Sequence, residues 1–304
     1  MSISQTNLDG ILPLIGRGKV RDIYEVDENT LLFVATDRIS AYDVIMENTI
    51  PDKGILLTKL SEFWFEYLKD DVRNHLVNIP KDKTVFDYLP KELSEPKYKS
   101  QIEGRSMLIQ KFKLIPLEVI VRGYITGSAW KEYQKTKTIH SIPQPDGLEE
   151  SQVLPKAIFT PSTKAEQGEH DENISIEQAA ELVGRDMTKR IEALSIKLYS
   201  KCRDYASSKG IIIADTKFEF GIDEKTDEII LVDEVLTPDS SRFWNKNSYK
   251  LGTSQDSYDK QFLRDWLTSN KFNGIPGVKM PQDIVEQTRF KYIEAYEALT
   301  GSKF

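Results

Sequence analysis

From Ile211 to Trp244 the chain opens with three apolar residues, Ile211, Ile212 and Ile213, and then alternates. On a strand, Asp215, Lys217 and Glu219 fall on one face and Thr216, Phe218 and Phe220 on the other. Gly, Asp and Thr cluster from Gly221 to Asp227 and predict a turn. A second strand, Ile229 to Leu236, carries Asp233 and Glu234. If Glu219 pairs opposite Asp233, the two share a face, and Asp215, Lys217, Glu219 and Asp233 point into one space. The solvated side of a one-sided sheet gives the same alternation, and a one-residue slip moves Asp233 to the other face. Three carboxylates around one lysine at the ends of apolar strands suit a hard cation. Mg²⁺ takes one or two carboxylates plus substrate phosphates.

Other stretches place candidate sites. Residues 14–36 read as a hairpin, LIGRGKVRDIYEV, a turn at Asp27-Glu28-Asn29, then TLLFVAT. Gly16, Arg17, Gly18 and Lys19 lie in or before its first strand, with Arg21 just after. Glycines let backbone N–H groups approach phosphates, although an ordinary bend reads the same way. Pro13 and Val20 exclude a Walker A loop. Asp37 to Asp43, DRISAYD, follows the second strand. Residues 54–68 have helical spacing, 80–105 read as irregular, and 106–121 as strand, break near Pro116, strand. Arg122 to Ser128, RGYITGS, sets an arginine and two glycines before a helix opening at Ser128, which suits an anion or a plain N-cap. Residues 137–173 show no periodicity and gather Ser162, Lys164, Glu166, His170 and Asp171, a length usual for functional or disordered loops. Ser175 and Gln178 form a capping box, and an amphipathic helix follows from Asp186 to Lys209, expected to pack on the sheet of the 211–236 hairpin. TPDSSRFW supplies Arg242 beside two serines, another anion site. Helices at 257–267 and 281–299 close the sequence.

Composition narrows the class. The 304 residues are 39% hydrophobic and 29% charged, with net charge −7, so a soluble globular protein without a broad nucleic-acid footprint is expected. The one cysteine, Cys202, sits on an apolar helix face and forms no intramolecular disulfide. Neither a secretory signal nor a bilayer-length apolar run is visible, so a cytoplasmic protein with no membrane partner is expected.

Six separated blocks then agree with one family. LIPLEVIVRGYITGS (114–128) and IADTKFEFG (213–221) resemble the signature segments of phosphoribosylaminoimidazole-succinocarboxamide synthase, or SAICAR synthetase. RGKVRDIY, TDRISAYD, PSTKAEQGEHDENIS and VDEVLTPDSSRFW resemble its other segments, in the family's order. The length and the 137–173 segment are similar to the fungal single-function form, with no second enzyme domain expected.

The resemblance implies an α+β, two-lobed fold: an antiparallel-sheet lobe over 1–115, a larger sheet-plus-helix lobe over 116–304, and ATP in the cleft between. It implies ATP-dependent joining of L-aspartate to carboxyaminoimidazole ribonucleotide (CAIR), giving SAICAR, ADP and phosphate through an acyl phosphate. Gly16, Arg17, Gly18, Lys19 and Arg21 would cover ATP phosphates, the backbone from Lys111 to Leu114 would meet adenine, and Glu118 the ribose. Glu219 and Asp233 would hold Mg²⁺, with Lys217 and Asp215 as catalytic groups. Arg122, Ser128, Ser241 and Arg242 would hold the CAIR phosphate. Asp37, Arg38, Ser40, Ser162 and Lys164 would bind aspartate or close over the site. A monomer is expected. A protein kinase is a poor rival, since no HRD motif occurs and DTKFEFG is not DFG. A non-catalytic nucleotide binder would not need metal carboxylates and arginine anion sites together.

Overall fold

The computed structural model describes residues 2–164, 172–258 and 260–304. They divide into two compact units: 2–64, 74–112 and 260–304 form the first, and 65–73, 113–164 and 172–258 the second. The division at 112/113 falls near the expected 115/116. The closing helices belong instead to the first unit, because Leu263, Leu267, Met280, Ile284 and Val285 are buried in one cluster with Ile39, Ala41, Met46 and Ile50. Burial against non-local apolar partners, which sequence order does not reveal, decides that membership.

The first unit carries an antiparallel sheet in the order Leu14–Arg17, Arg21–Glu25, Thr30–Ala35, Ser106–Gln110. The single first strand expected over 14–26 is two strands, because the chain reverses at Gly18, whose N–H donates to Arg21 O at 2.8 Å. Beneath the sheet, Tyr24, Leu32, Val34 and Leu108 pack with Leu89, Leu93 and Ile102. Those last three come from the stretch read as irregular, which holds the turns Val85–Tyr88 and Lys91–Ser94 and the helix Pro96–Ile102. Proline opens that helix, where its missing N–H costs nothing.

In the second unit the 13-residue strand Ile211–Asp223 is central. It pairs antiparallel with Leu117–Tyr124 and Ser241–Asn245 over its first half and with Glu228–Val232 and Lys113–Leu114 over its second. Val153–Thr163 adds outside Leu117–Tyr124. That 11-residue strand fell in the stretch without periodicity. Pro155 lies in an irregularity between Val153 and Ile158, and Pro161 sits at an outer strand, where a missing N–H is tolerated. The helix Arg185–Ser208 packs on this sheet, and Tyr199 Oη donates to Ile213 O at 2.6 Å. Gly123 makes room for it: a Cβ there would lie 2.1 Å from that hydroxyl oxygen. Cys202 is fully buried on the same helix, and burial pushes its thiol up, so it is a core residue. The capping box stands, with Ser175 Oγ accepting from Gln178 N at 3.1 Å and Gln178 Oε1 from Ser175 N at 2.8 Å. Among the described residues no helix is long and apolar enough to cross a membrane.

Candidate functional site

Strand pairing builds one charged face in the second unit. Asp215 lies opposite Arg122 on one neighbour and Arg242 on the other, and Lys217 lies opposite Ile120. Thr160 pairs with Ile120 and Ser162 with Glu118. Directly opposed residues share a face and alternate residues return to it. Thr160, Ser162, Glu118, Arg122, Asp215, Lys217, Glu219 and Arg242 therefore share one face. Phe218 and Phe220, at 0% and 1% exposure, anchor the other side in the core. The pairing with Ser241–Asn245 shifts register between Ile213 and Asp215, an irregularity of the kind that re-aims a side chain beside a site.

At one end two guanidinium groups share one carboxylate. Asp215 Oδ2 accepts from Arg122 Nη1 at 3.2 Å and Arg242 Nη1 at 2.5 Å. Arg122 Nε donates to Thr160 Oγ1 at 3.1 Å. Burial weighs against the charge on Arg122, Asp215 supports it and Arg242 opposes it, for a net lowering. Arginine still stays charged, so the trio carries one surplus positive charge. The helix Gly127–Thr136 starts against Arg242: a Cβ on Gly127, at φ +59°, would lie 2.5 Å from Arg242 Nη2. Its N-cap is Thr126, not Ser128, so Ser128 is an exposed first-turn residue. Arginine beside open helix N–H groups suits a phosphate.

Two residues along the strand, about 7 Å away, the sign reverses. Lys217 Nζ lies 2.5 Å from Glu118 Oε2 and 3.4 Å from Glu219 Oε1, and Lys164 bonds the other Glu219 oxygen. Burial works against the charge on Lys217, but Glu219, Glu118 and Asp233 outweigh it and raise its proton affinity. Burial raises the Glu118 carboxyl, with Lys217 pulling it down and Glu219 pushing it up.

The expected register is corrected by one residue. Glu219 pairs with Val232, and Asp233 lies beyond the strand at φ +66°. Strict alternation would put Asp233 on the wrong face, but it leaves the strand in a left-handed turn, and its charge still acts on Lys217. Among the described residues no three carboxylate, His or Cys groups stand together as a metal cage. Glu219 and Asp233 as oxygen donors still fit Mg²⁺, which needs only one or two carboxylates when phosphates complete its shell.

Several candidates land elsewhere. Ser241 pairs with Thr216 on the opposite face, and their hydroxyls lie 2.8 Å apart, so it does not join Arg242. Ser162 lies on the charged face, but it is buried and its hydroxyl is taken up by Asn173 Oδ1 at 3.1 Å. Glu166, His170 and Asp171 lie outside the described residues.

In the first unit, Asp37 is fully buried and accepts from Ile3 N, Gly54 N and Arg105 Nη1 at 2.7, 2.9 and 3.0 Å. It holds the core rather than facing a ligand. Ser40, 8% exposed, is paired in the two-residue strand Ser40–Ala41. Arg38 donates to the carbonyls of Ser4, Gly18 and Lys19 and to Asp22, so it braces the glycine turn from behind. Gly16 and Gly18 are open, with no atom closer than 3.6 Å to a Cβ built on either. Arg17 donates to Thr6 O at 2.8 Å, Lys19 pairs with Asp43 at 2.6 Å, and Arg21 lies 5.0 Å over the Phe33 ring. Lys111 pairs with Glu25 at 2.7 Å. Leu114, in the second unit, is 53% exposed.

Two contributors were absent from the sequence reading. Thr160 was hidden with its strand, although its spacing of two from Ser162 puts both on one face. His140 had no local signal.

Comparison with known proteins agrees with this chemistry. Residues 14–280 match the family described as SAICAR synthetase. Phosphoribosylaminoimidazole-succinocarboxamide synthase of Saccharomyces cerevisiae is 78% identical over 304 residues, covering 100% of this chain and 99% of the relative. The solved structure of SAICAR-synthase from S. cerevisiae complexed with SAICAR superposes with a TM-score of 0.95 at 76% identity, over 100% of this chain and 99% of that one. A SAICAR synthetase in complex with ADP matches with a TM-score of 0.69 at 26% identity, over 95% and 98% of the two chains.

Proposed function

The chain belongs to the SAICAR synthetase family, and we propose that it runs the family's ligation on the face built around Asp215, Lys217 and Glu219. It is an ATP-dependent carbon–nitrogen ligase of de novo purine biosynthesis, joining L-aspartate to the CAIR carboxylate to give SAICAR, ADP and phosphate. The observation that carries the site assignment is the reversal of sign along one strand, from a surplus arginine to a group of carboxylates and lysines.

A carboxylate is a poor acyl donor because it has no good leaving group. Transfer of the ATP γ-phosphoryl group to a CAIR carboxylate oxygen supplies one. The aspartate amine then attacks the carbonyl carbon, and phosphate departs with that oxygen. This route needs no enzyme nucleophile, in keeping with the buried Cys202. The protein positions the reactants and stabilises charge.

Arg242, Arg122 and the first turn at Ser128 hold the CAIR phosphate, with Asp215 fixing both guanidinium planes. Lys217 and Lys164 meet the charge that builds on the transferring phosphoryl group and the carboxylate. Mg²⁺, when bound, would be held by Glu219 and Asp233 and would offset triphosphate charge. Gly16 to Lys19, with Arg21, cover the ATP phosphates, and the Lys111–Leu114 backbone meets adenine. Glu118 changes role: buried and paired to Lys217, it fixes that lysine rather than reaching a ribose. We also place the enzyme in the cytoplasm as a monomer. A single buried thiol suits a reducing compartment, and fractionation and sedimentation test both points.

CAIR labelled with heavy oxygen in its carboxylate should deliver one label to inorganic phosphate per turnover, read by mass spectrometry. Unlabelled phosphate alongside product, with exchange controlled, overturns the acyl-phosphate route.

A further inference from the structure

The turn between Thr138–Ile139 and Ile142–Pro143 consists of His140 and Ser141, at φ +47° and +65°. Two-residue hairpin turns of this shape favour Asn-Gly, so these residues sit in a costly conformation. The Glu132 carboxylate holds them there, accepting from His140 N at 3.0 Å, Ser141 N at 3.3 Å and Thr138 Oγ1 at 2.9 Å. The turn delivers the imidazole into the protein, where His140 is 5% exposed. Its Nδ1 lies 3.1 Å from Pro161 O. A carbonyl only accepts, so Nδ1 carries the proton and, in the neutral ring, Nε2 is bare. Nε2 is buried and has no hydrogen-bond partner among the described residues.

Pro161 O also accepts from Ile174 N at 3.1 Å, and Thr163 N donates to Glu172 O at 2.9 Å. These bonds close the base from which Lys164 reaches Glu219 and from which Thr160 braces Arg122. We propose that neutral His140 is a positioning residue for the ligation, clamping the strand end Thr160–Lys164 so that both charged groups keep their places. The proposal rests on the reading of Lys164 as part of the working site.

The surroundings disfavour the imidazolium. Burial lowers the proton affinity first and Arg122, on the neighbouring strand, lowers it further. Glu132, on the preceding helix, and the backbone at Pro161 and Ile174 oppose this less strongly. A second proton would sit on Nε2, where no acceptor waits. The unfolded chain takes that proton near pH 6.5 while the folded chain resists. Stability from this group is therefore complete above about pH 6.5 and is lost as pH falls below it.

The test compares wild type with His140→Ala, His140→Asn and Lys164→Met, each assayed below its unfolding transition. His140→Ala should lower kcat about ten- to a hundredfold, as misplacement does, with the KM for ATP nearly unchanged. His140→Asn, whose amide N–H can replace Nδ1–H, should recover most of that loss. It should also flatten the acid limb of kcat that lies on the acid side of the ordinary imidazole range, where the buried ring of the folded enzyme takes its second proton. Normal kcat in His140→Ala beside an inactive Lys164→Met overturns the clamp alone. Equal losses in His140→Ala and His140→Asn with an unmoved acid limb overturn it too. Normal turnover in Lys164→Met overturns the reading beneath it.

Discussion

The two ends of the charged face are built on opposite principles. At the arginine end, Arg122 and Asp215 are 4% and 7% exposed, and two cations converge on one carboxylate. At the lysine end, Lys217 and Lys164 keep 37% and 32% of their side-chain surface, and the carboxylates Glu118, Glu219 and Asp233 gather near Lys217. At the first end the Arg122–Asp215 pair is buried and fixed before any ligand arrives, with Arg242 opening it to solvent. At the second the carboxylates Glu118 and Glu219 are largely buried, at 5% and 12% exposure, and only the ammonium groups stay open to an incoming triphosphate. Removing a charge from the first should cost fold and binding, and from the second, turnover.

Asp215→Ala should have the largest effect. It leaves Arg122 buried with its carboxylate gone, and breaking a buried pair from one side costs about 3–5 kcal/mol. Urea unfolding should show that loss. A midpoint within error of wild type would mean the arginine end is not the fixed one. Asp233→Asn should do the reverse, holding the midpoint while turnover falls about a hundred- to a thousandfold, the usual cost of one electrostatic group. Near wild-type activity across a Mg²⁺ titration would remove Asp233 from the metal assignment.

The contrast was only half legible in the sequence. The alternation from Asp215 to Glu219 reads directly because period two is a local property, and Phe218 and Phe220 mark the buried side. The pairing of Glu219 with Val232 was missed by one residue, because a left-handed Asp233 leaves no trace in hydropathy. Thr160 and Ser162 were invisible as a strand because Pro155 and Pro161 interrupt it. The partners of Arg38 are mostly backbone carbonyls, which no side-chain pattern announces.

Arg242→Ala sharpens the arginine end. Arg242 is the more open guanidinium, 28% exposed, so its loss should spare the fold more than the loss of Asp215. CAIR should bind about ten- to a hundredfold more weakly, matching the roughly 1.5–3 kcal/mol of a charge-assisted contact. ATP affinity should hold. Calorimetric titration that finds the loss on ATP instead would move Arg242 to the nucleotide.

The smallest effects separate two serines that the sequence grouped together. Ser241 is buried on the far face with its hydroxyl on Thr216, and Ser128 is exposed in the first turn of the helix against Arg242. Ser241→Ala should lower stability by about 0.5–1.5 kcal/mol, the net worth of one hydrogen bond, while the KM for CAIR stays put. Ser128→Ala should leave stability unchanged, since the N-cap position is Thr126 and Ser128 is an exposed first-turn residue, and should raise the KM for CAIR several-fold. Ser241 is the chain neighbour of Arg242 and Ser128 follows Gly127, which abuts that arginine, so the two are told apart by burial and by the Thr216 bond and not by sequence position. If Ser241→Ala raised the KM and Ser128→Ala did not, the pairing of Thr216 with Ser241 would no longer describe the working enzyme.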